Sequence, residues 1–95
     1  MNSFYMYIVQ CCDGSYYVGH TDDIENRLNE HNSGIYIGYT LQRLPIILVY
    51  LEAFSSRDEA FFAEMKIKKW SRAKKEALIC GDFDSLRKKS KKIFK

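Results

Sequence analysis

Phe4-Tyr5-Met6-Tyr7-Ile8-Val9-Gln10 and Ser15-Tyr16-Tyr17-Val18-Gly19 stand on either side of an Asp13-Gly14 pair. The first segment is aromatic and β-branched, the composition of a strand, and the second repeats that character. Asp-Gly is a turn signal, so the two segments read as a hairpin. Side chains alternate across a strand, which puts Tyr5 and Tyr7 on one face and lets the hairpin bring Tyr7 and Tyr17 side by side. Aromatic pairs of this kind usually fill a sheet surface. A tyrosine becomes a proton acceptor only if its pKa of about 10 is lowered or a metal-bound hydroxide shares the work.

Downstream, Asp22-x-x-Glu25 resembles a capping box, and Ile24, Leu28 and His31 recur at helical spacing, predicting a helix over Asp22–Asn32. Ser33 to Arg43 reads as a long loop of the kind that is often functional in a small domain. Ile46 to Phe54 is apolar enough for a central strand, with Pro45 just before it. Ser56-x-x-Glu59 opens a helix over Arg57–Lys69, and Ser71 caps another over Arg72–Cys80 that Gly81 ends. The order β-β-α-β-α-α predicts an α+β fold: a small three-stranded antiparallel sheet with flanking helices. Residues 1–81 form the domain, and 82–95 read as a basic tail or short helix.

Ninety-five residues, 46% hydrophobic and 28% charged, suit one globular domain and leave no room for two. No apolar run approaches a membrane span, and no basic n-region follows Met1, so neither a span nor an export signal is expected. The three cysteines, Cys11, Cys12 and Cys80, then predict free thiols in a reducing cytoplasm. Charge is divided along the chain. Residues 1–65 hold three Arg and no Lys against nine acids, a net of −6. Residues 66–95 hold ten Lys and two Arg against three acids, a net of +9. Such a block attracts polyanions, nucleic acid first among them, although a solvated helix face and tail would have the same composition.

Two further groups could carry chemistry. Arg27 and His31 are four residues apart and share a helix face at the edge of its apolar stripe. Arginine there can clamp a phosphate and histidine can move protons near neutral pH, against the plainer reading of an ordinary helix surface. Glu64 shares a stripe with Ala60, Ile67 and Ser71 that turns it toward the sheet. Acids are rarely buried alone, so Glu64 is either a candidate Mg²⁺ ligand or the partner of Lys68.

Together these features resemble the GIY-YIG nuclease family. Tyr5-Met6-Tyr7 stands where the first tripeptide falls and Tyr17-Val18-Gly19 where the second does, followed by the helix with Arg27 and His31 and by Glu64 on a later helix. The resemblance covers residues 4 to about 80 and is nearest to small stand-alone bacterial members. The first tripeptide departs from it, lacking glycine and isoleucine but keeping the terminal tyrosine, and no asparagine follows Glu64. The literal Gly34-Ile35-Tyr36-Ile37-Gly38 lies in the loop and is too short to be two paired strands.

The resemblance implies a metal-dependent endonuclease acting on DNA. In it Tyr7 and Tyr17 form a hydrogen-bonded pair, with Tyr17 as general base. Gly19 permits close backbone approach, and His20 occupies a polar position near the substrate. Arg27 stabilises the scissile phosphate, His31 assists proton transfer, and Glu64 binds one Mg²⁺ or Mn²⁺. Lys66, Lys68, Lys69, Lys74 and Lys75 flank the site and steer nucleic acid, with Tyr36 and Tyr39 as loop contacts. Repair or processing of foreign DNA is the process it implies. The rival is a non-cleaving nucleic-acid-binding module that uses the basic third together with Tyr36, Tyr39 and Trp70. A third reading is a structural domain docking an acidic protein surface.

Overall fold

The computed structural model describes residues 3–81, so the basic 82–95 segment lies outside the described residues. Strands β1 (Phe4–Gln10) and β2 (Tyr16–Thr21) form the expected antiparallel hairpin. Helix α1 (Ile24–Asn32), strand β3 (Ile47–Phe54) and helices α2 (Arg57–Lys68) and α3 (Arg72–Cys80) follow in the predicted order. The sheet is antiparallel with strand order β2-β1-β3. The central strand is therefore β1, which carries the fully buried run Met6–Val9. Strand β3 is not central as its composition predicted: it is an edge, with Ile47 60% and Leu51 41% exposed. Apolar runs mark burial on both faces only when both faces are covered, and here the covered strand is β1.

The alternation of β1 divides the core into two layers. Met6 and Ile8 pack with Val18, and with Ile67 and Leu78 of α2 and α3. Tyr7 and Val9 pack with Cys11 and Ile46, and with Ile24 and Leu28 of α1. Each fully buried side chain of this size contributes about 1.5–3 kcal/mol, so these four positions of β1 hold the sandwich together. β2 runs two residues past its predicted end because His20 and Thr21 continue the ladder opposite Met6 and Tyr5. Helix α1 starts later than predicted, since Asp23, not Asp22, is the cap and its side chain accepts from Asn26 N–H. Ser56 and Ser71 cap α2 and α3 as expected, and Gly81, at φ 73°, ends α3. Among the described residues no helix is long and apolar enough to cross a membrane.

Candidate active site

The hairpin register sets the first half of the site. Tyr7 lies opposite Gly19 and Tyr17 opposite Val9, so the two tyrosines are diagonal neighbours on the α1 face, with ring centroids 6.4 Å apart. They do not hydrogen-bond to each other as the resemblance implied. Diagonal placement gives each hydroxyl its own partners. The Tyr7 oxygen lies 3.0 Å from His31 Nε2 and accepts from Arg27 Nη1 at 3.4 Å. The Tyr17 hydroxyl shares a 3.2 Å hydrogen bond with that of Tyr36.

Gly19 is needed for a reason its place in the motif did not show. A Cβ there would stand 2.5 Å from the Tyr7 oxygen and 2.6 Å from its Cζ. The closely approaching group is therefore Tyr7's own ring, which occupies the space a side chain would fill.

Arg27 and His31 share a face of α1, as their spacing predicted, but that face is not an ordinary surface. His31 is fully buried, and its Nδ1 lies 2.8 Å from Oγ1 of Thr40, also fully buried. The partners favour one tautomer. Arginine can only donate, so Tyr7 accepts from Arg27 and its own O–H donates to Nε2. The ring hydrogen is then on Nδ1 and donates to Thr40. Burial, assisted by the nearby Arg27 charge, holds the His31 pKa below its ordinary value and keeps the ring neutral. Burial pushes Tyr7 up to about 12 even though Arg27 pulls the other way. Burial, reinforced by the bond to Tyr36, raises Tyr17 well above the usual phenol range. Neither phenol has the lowered pKa of a ready base.

The loop supplies a wall that the hairpin motif alone did not announce. Tyr36 packs on His31 at 4.3 Å between ring centroids, and the Arg27 guanidinium lies 4.7 Å from the centre of the Tyr36 ring. Tyr39 stacks on Tyr17 at 6.2 Å, and the Arg43 guanidinium lies over the Tyr39 ring at 4.0 Å. The Gly34–Gly38 string is indeed loop, yet its tyrosine belongs to the cluster.

Glu64 approaches from the opposite side of the sheet, on α2, and is 8% exposed. It is not a lone carboxylate: His20 Nδ1 donates to Oε1 at 2.6 Å and Lys68 Nζ to Oε2 at 2.9 Å. The reading of Glu64 as the partner of Lys68 is the one seen directly, with His20 as a second partner. His20 joins the halves, because its backbone carbonyl accepts from Arg27 Nη1 at 3.3 Å while its ring holds Glu64. Strand β2 is an edge, so this junction lies where the sheet ends.

The predicted lysines separate. Lys66 and Lys68 are exposed on α2 and Lys69 just past its end, and Lys68 is the one that reaches Glu64. Lys74 lies over the half-buried Trp70 ring at 4.3 Å. Lys75 is partly buried, and burial lowers its pKa.

Among the described residues no three His, Cys, Asp or Glu side chains converge. A hard divalent ion with one protein carboxylate, waters and phosphate oxygens asks for no more than that. Glu64 fits this role as an anionic oxygen donor held by His20, and the exposed Lys68 ammonium is the group that would yield Oε2.

The family profile of the GIY-YIG catalytic domain matches residues 3–77. The chain is 45% identical over 80 residues to a UPF0213 protein of Streptococcus pneumoniae, covering 84% of this chain and 81% of that one. It is 46% identical over 75 residues to UPF0213 protein VNG_2274C of Halobacterium salinarum, covering 79% and 97%. The solution structure of UPF0213 protein BH0048 from Bacillus halodurans superposes with a TM-score of 0.54 at 44% identity, covering 82% of this chain and 83% of that one. That of protein EF2693 from E. faecalis gives 0.60 at 41% identity, covering 87% and 88%.

Proposed function

The chain belongs to the GIY-YIG family, and we propose that it is a metal-dependent endonuclease that hydrolyses phosphodiester bonds in DNA. The observation that carries this reading is the junction at His20. One residue ties the Arg27–Tyr7–His31 network to the Glu64 carboxylate at the open edge of the sheet. A cation site, a guanidinium and a proton acceptor within reach of one phosphate are what hydrolysis of a phosphodiester requires.

Arg27 receives the scissile phosphate, exchanging its bonds within the protein for bonds to phosphate oxygens and neutralising charge as it develops. Turning toward the phosphate also uncovers the Tyr7 oxygen beneath it. Water attacks phosphorus in line, its proton passes to the Tyr7 oxygen, and Tyr7's own proton passes to His31 Nε2. This route suits the raised phenol pKa values, because Tyr7 need not start as phenolate. Its neighbour is a neutral imidazole that takes the proton as it leaves. Among the described residues the hydroxyl partner of Tyr17 is that of Tyr36, a far poorer proton acceptor. We therefore assign the base to Tyr7 and give Tyr17 the part of packing and placing the loop. Glu64 would hold one Mg²⁺ or Mn²⁺, which would supply Lewis acidity for the charge on the leaving oxygen. Lys66, Lys68 and Lys69 bring the polyanion to this edge, and the free thiols suit work in the cytoplasm.

The test is incubation of the purified protein with labelled duplex, nicked, flapped, branched and single-stranded DNA, and with RNA, in Mg²⁺, Mn²⁺ or EDTA. Cleavage that needs the metal and disappears in Glu64→Ala and Arg27→Ala is expected. Binding of DNA by a folded protein that cuts no member of the panel would replace this reading with the non-cleaving module.

A further inference from the structure

We propose that Thr40, on the loop between α1 and β3, is a positioning residue for this reaction: it sets the tautomer of His31 and keeps Nε2 free to take the proton that leaves Tyr7. The catalytic consequence rests on the nuclease reading, whereas the tautomer itself can be read in the uncomplexed protein.

Thr40 stands out on its loop. Ile37, Gly38, Tyr39, Leu41 and Gln42 around it are exposed, while Thr40 has no exposed surface. A buried hydroxyl is costly unless it is hydrogen-bonded, and valine would have the same shape without that cost. The side-chain partner of Thr40 is His31 Nδ1 at 2.8 Å. The loop that delivers it is pinned on both sides. Arg43 N–H donates to the Thr40 carbonyl at 2.9 Å, and the Arg43 side chain holds the Tyr39 carbonyl at 2.7 Å and Asp13 at 3.1 Å.

The two tautomers of a neutral imidazole are unequal here. With hydrogen on Nδ1, the ring donates to Thr40 and accepts from Tyr7, so both ring nitrogens and the Tyr7 O–H are paired, and among the described residues the Thr40 O–H is the one group left without a side-chain acceptor. With hydrogen on Nε2, the Tyr7 oxygen faces two donors, Arg27 and His31, and its own buried O–H has no acceptor among the groups bonded to it. The Thr40 oxygen, 2.8 Å from Nδ1, is the acceptor that stabilises the first state. In that state the proton path balances. The water O–H bond breaks as the Tyr7 oxygen gains a proton, the Tyr7 O–H bond breaks as Nε2 gains one, and the resulting imidazolium keeps its Nδ1–H on Thr40. In the other state Nε2 already carries hydrogen and the path is closed.

Ring ¹⁵N shifts of His31 in the wild type, Thr40→Val and Thr40→Ser test the assignment, with steady-state cleavage run beside them. Expected are a protonated Nδ1 and bare Nε2 in the wild type and in Thr40→Ser. Thr40→Val should shift population toward Nε2–H. Its kcat should fall roughly ten- to hundredfold with KM little changed, a part of the 10²–10⁴ that general acid–base catalysis supplies. Thr40→Ser should recover most of that loss. A wild-type spectrum with bare Nδ1 overturns the proposal even if Thr40→Val does not fold. So does a folded Thr40→Val with an unchanged tautomer, or with a changed tautomer and full activity. The expected shifts in a protein that cuts no nucleic acid would uphold the tautomer assignment and overturn the catalytic role together with the nuclease reading.

Discussion

The two faces of the sheet build their halves of the site in opposite ways. On the α1 face, Tyr7, Tyr17 and His31 pack together as neutral groups, with the Arg27 cation bonded to Tyr7, and burial pushes each of the three away from its charged form. On the α2 face, His20, Glu64 and Lys68 form a chain of ion-pairing groups open to solvent at its Lys68 end. The first arrangement suits a proton that must move between neutral partners without leaking to water. The second suits an exchangeable cation, because a surface ammonium can yield to a metal ion at little cost. Placing the two on opposite faces keeps the carboxylate from joining the phenol network, and one edge-strand residue, His20, lets them meet.

Removing a charged group from either half should have the largest effect. Glu64→Ala leaves a metal with no protein carboxylate, and Arg27→Ala leaves the phosphate charge unmet. Either should lower kcat/KM by a factor on the order of 10³, comparable to loss of a main transition-state contact. Both variants should still bind DNA in a salt-dependent way. Retention of cleavage by Glu64→Ala at saturating Mg²⁺ would break the division of labour between the faces.

Within the neutral half the two tyrosines should differ. Tyr7→Phe removes the hydroxyl that links Arg27 to His31, and a loss of roughly 10²-fold or more in kcat is expected. Tyr17→Phe removes a hydroxyl bonded to Tyr36 alone and should cost less than about tenfold. Equal losses, or a larger one at Tyr17, would return the base to Tyr17. Tyr36→Phe tests the same contrast and should resemble Tyr17→Phe.

Much of this was legible beforehand, and the reasons differ by residue. Hairpin, element order, the two serine helix starts and the one glycine stop follow local rules, so they could be read from the chain. The edge position of β3 could not, because strand composition reports apolarity and not which neighbours cover it. Tyr7, Arg27, His31 and Glu64 could be singled out by spacing. Their partners could not, since a diagonal register separates Tyr7 from Tyr17 and hands Tyr7 to Arg27 and His31. Thr40 gave no sequence signal beyond its place in a long loop. Gly19 could be flagged as a motif glycine, but only the register shows that it faces the Tyr7 ring.

That register yields a stability prediction. Gly19→Ala places a methyl 2.5 Å from an oxygen that is fixed by His31 and Arg27. Overpacking of this kind costs about 1–3 kcal/mol, or a Tm lower by roughly 5–20 °C in a domain this small. Gly19→Ala combined with Tyr7→Phe should recover only part of the loss, because the ring Cζ would still lie 2.6 Å from the added methyl. A Gly19→Ala protein as stable as the wild type would contradict the packing.

The closed face also sets a pH dependence. Folded His31 resists protonation, while unfolded it gains a proton near pH 6.5. Below that pH the unfolded chain binds more protons, so stability falls as pH drops through about 6.5. His31→Gln should flatten the Tm curve between pH 7 and 5 relative to the wild type. An unchanged slope would mean that His31 titrates alike in both states, and the neutral network would lose its basis.

The smallest effect concerns the open end. Lys68 is half exposed, and its i,i+4 bridge to Glu64 contributes about 0.3–0.5 kcal/mol. Lys68→Ala should therefore shift Tm little. It frees Glu64 Oε2 from its competitor, so half-maximal activation should occur at roughly two- to threefold lower Mg²⁺. It also removes one cation from the edge that meets the polyanion, so KM for DNA should rise and the salt slope fall by about one. The two shifts are opposite in sign and appear in different titrations. Had Lys68 served only to attract DNA, the metal titration would not move, and had it served only to shield Glu64, the salt slope would not. Movement of both places one residue at the point where the charged face meets substrate.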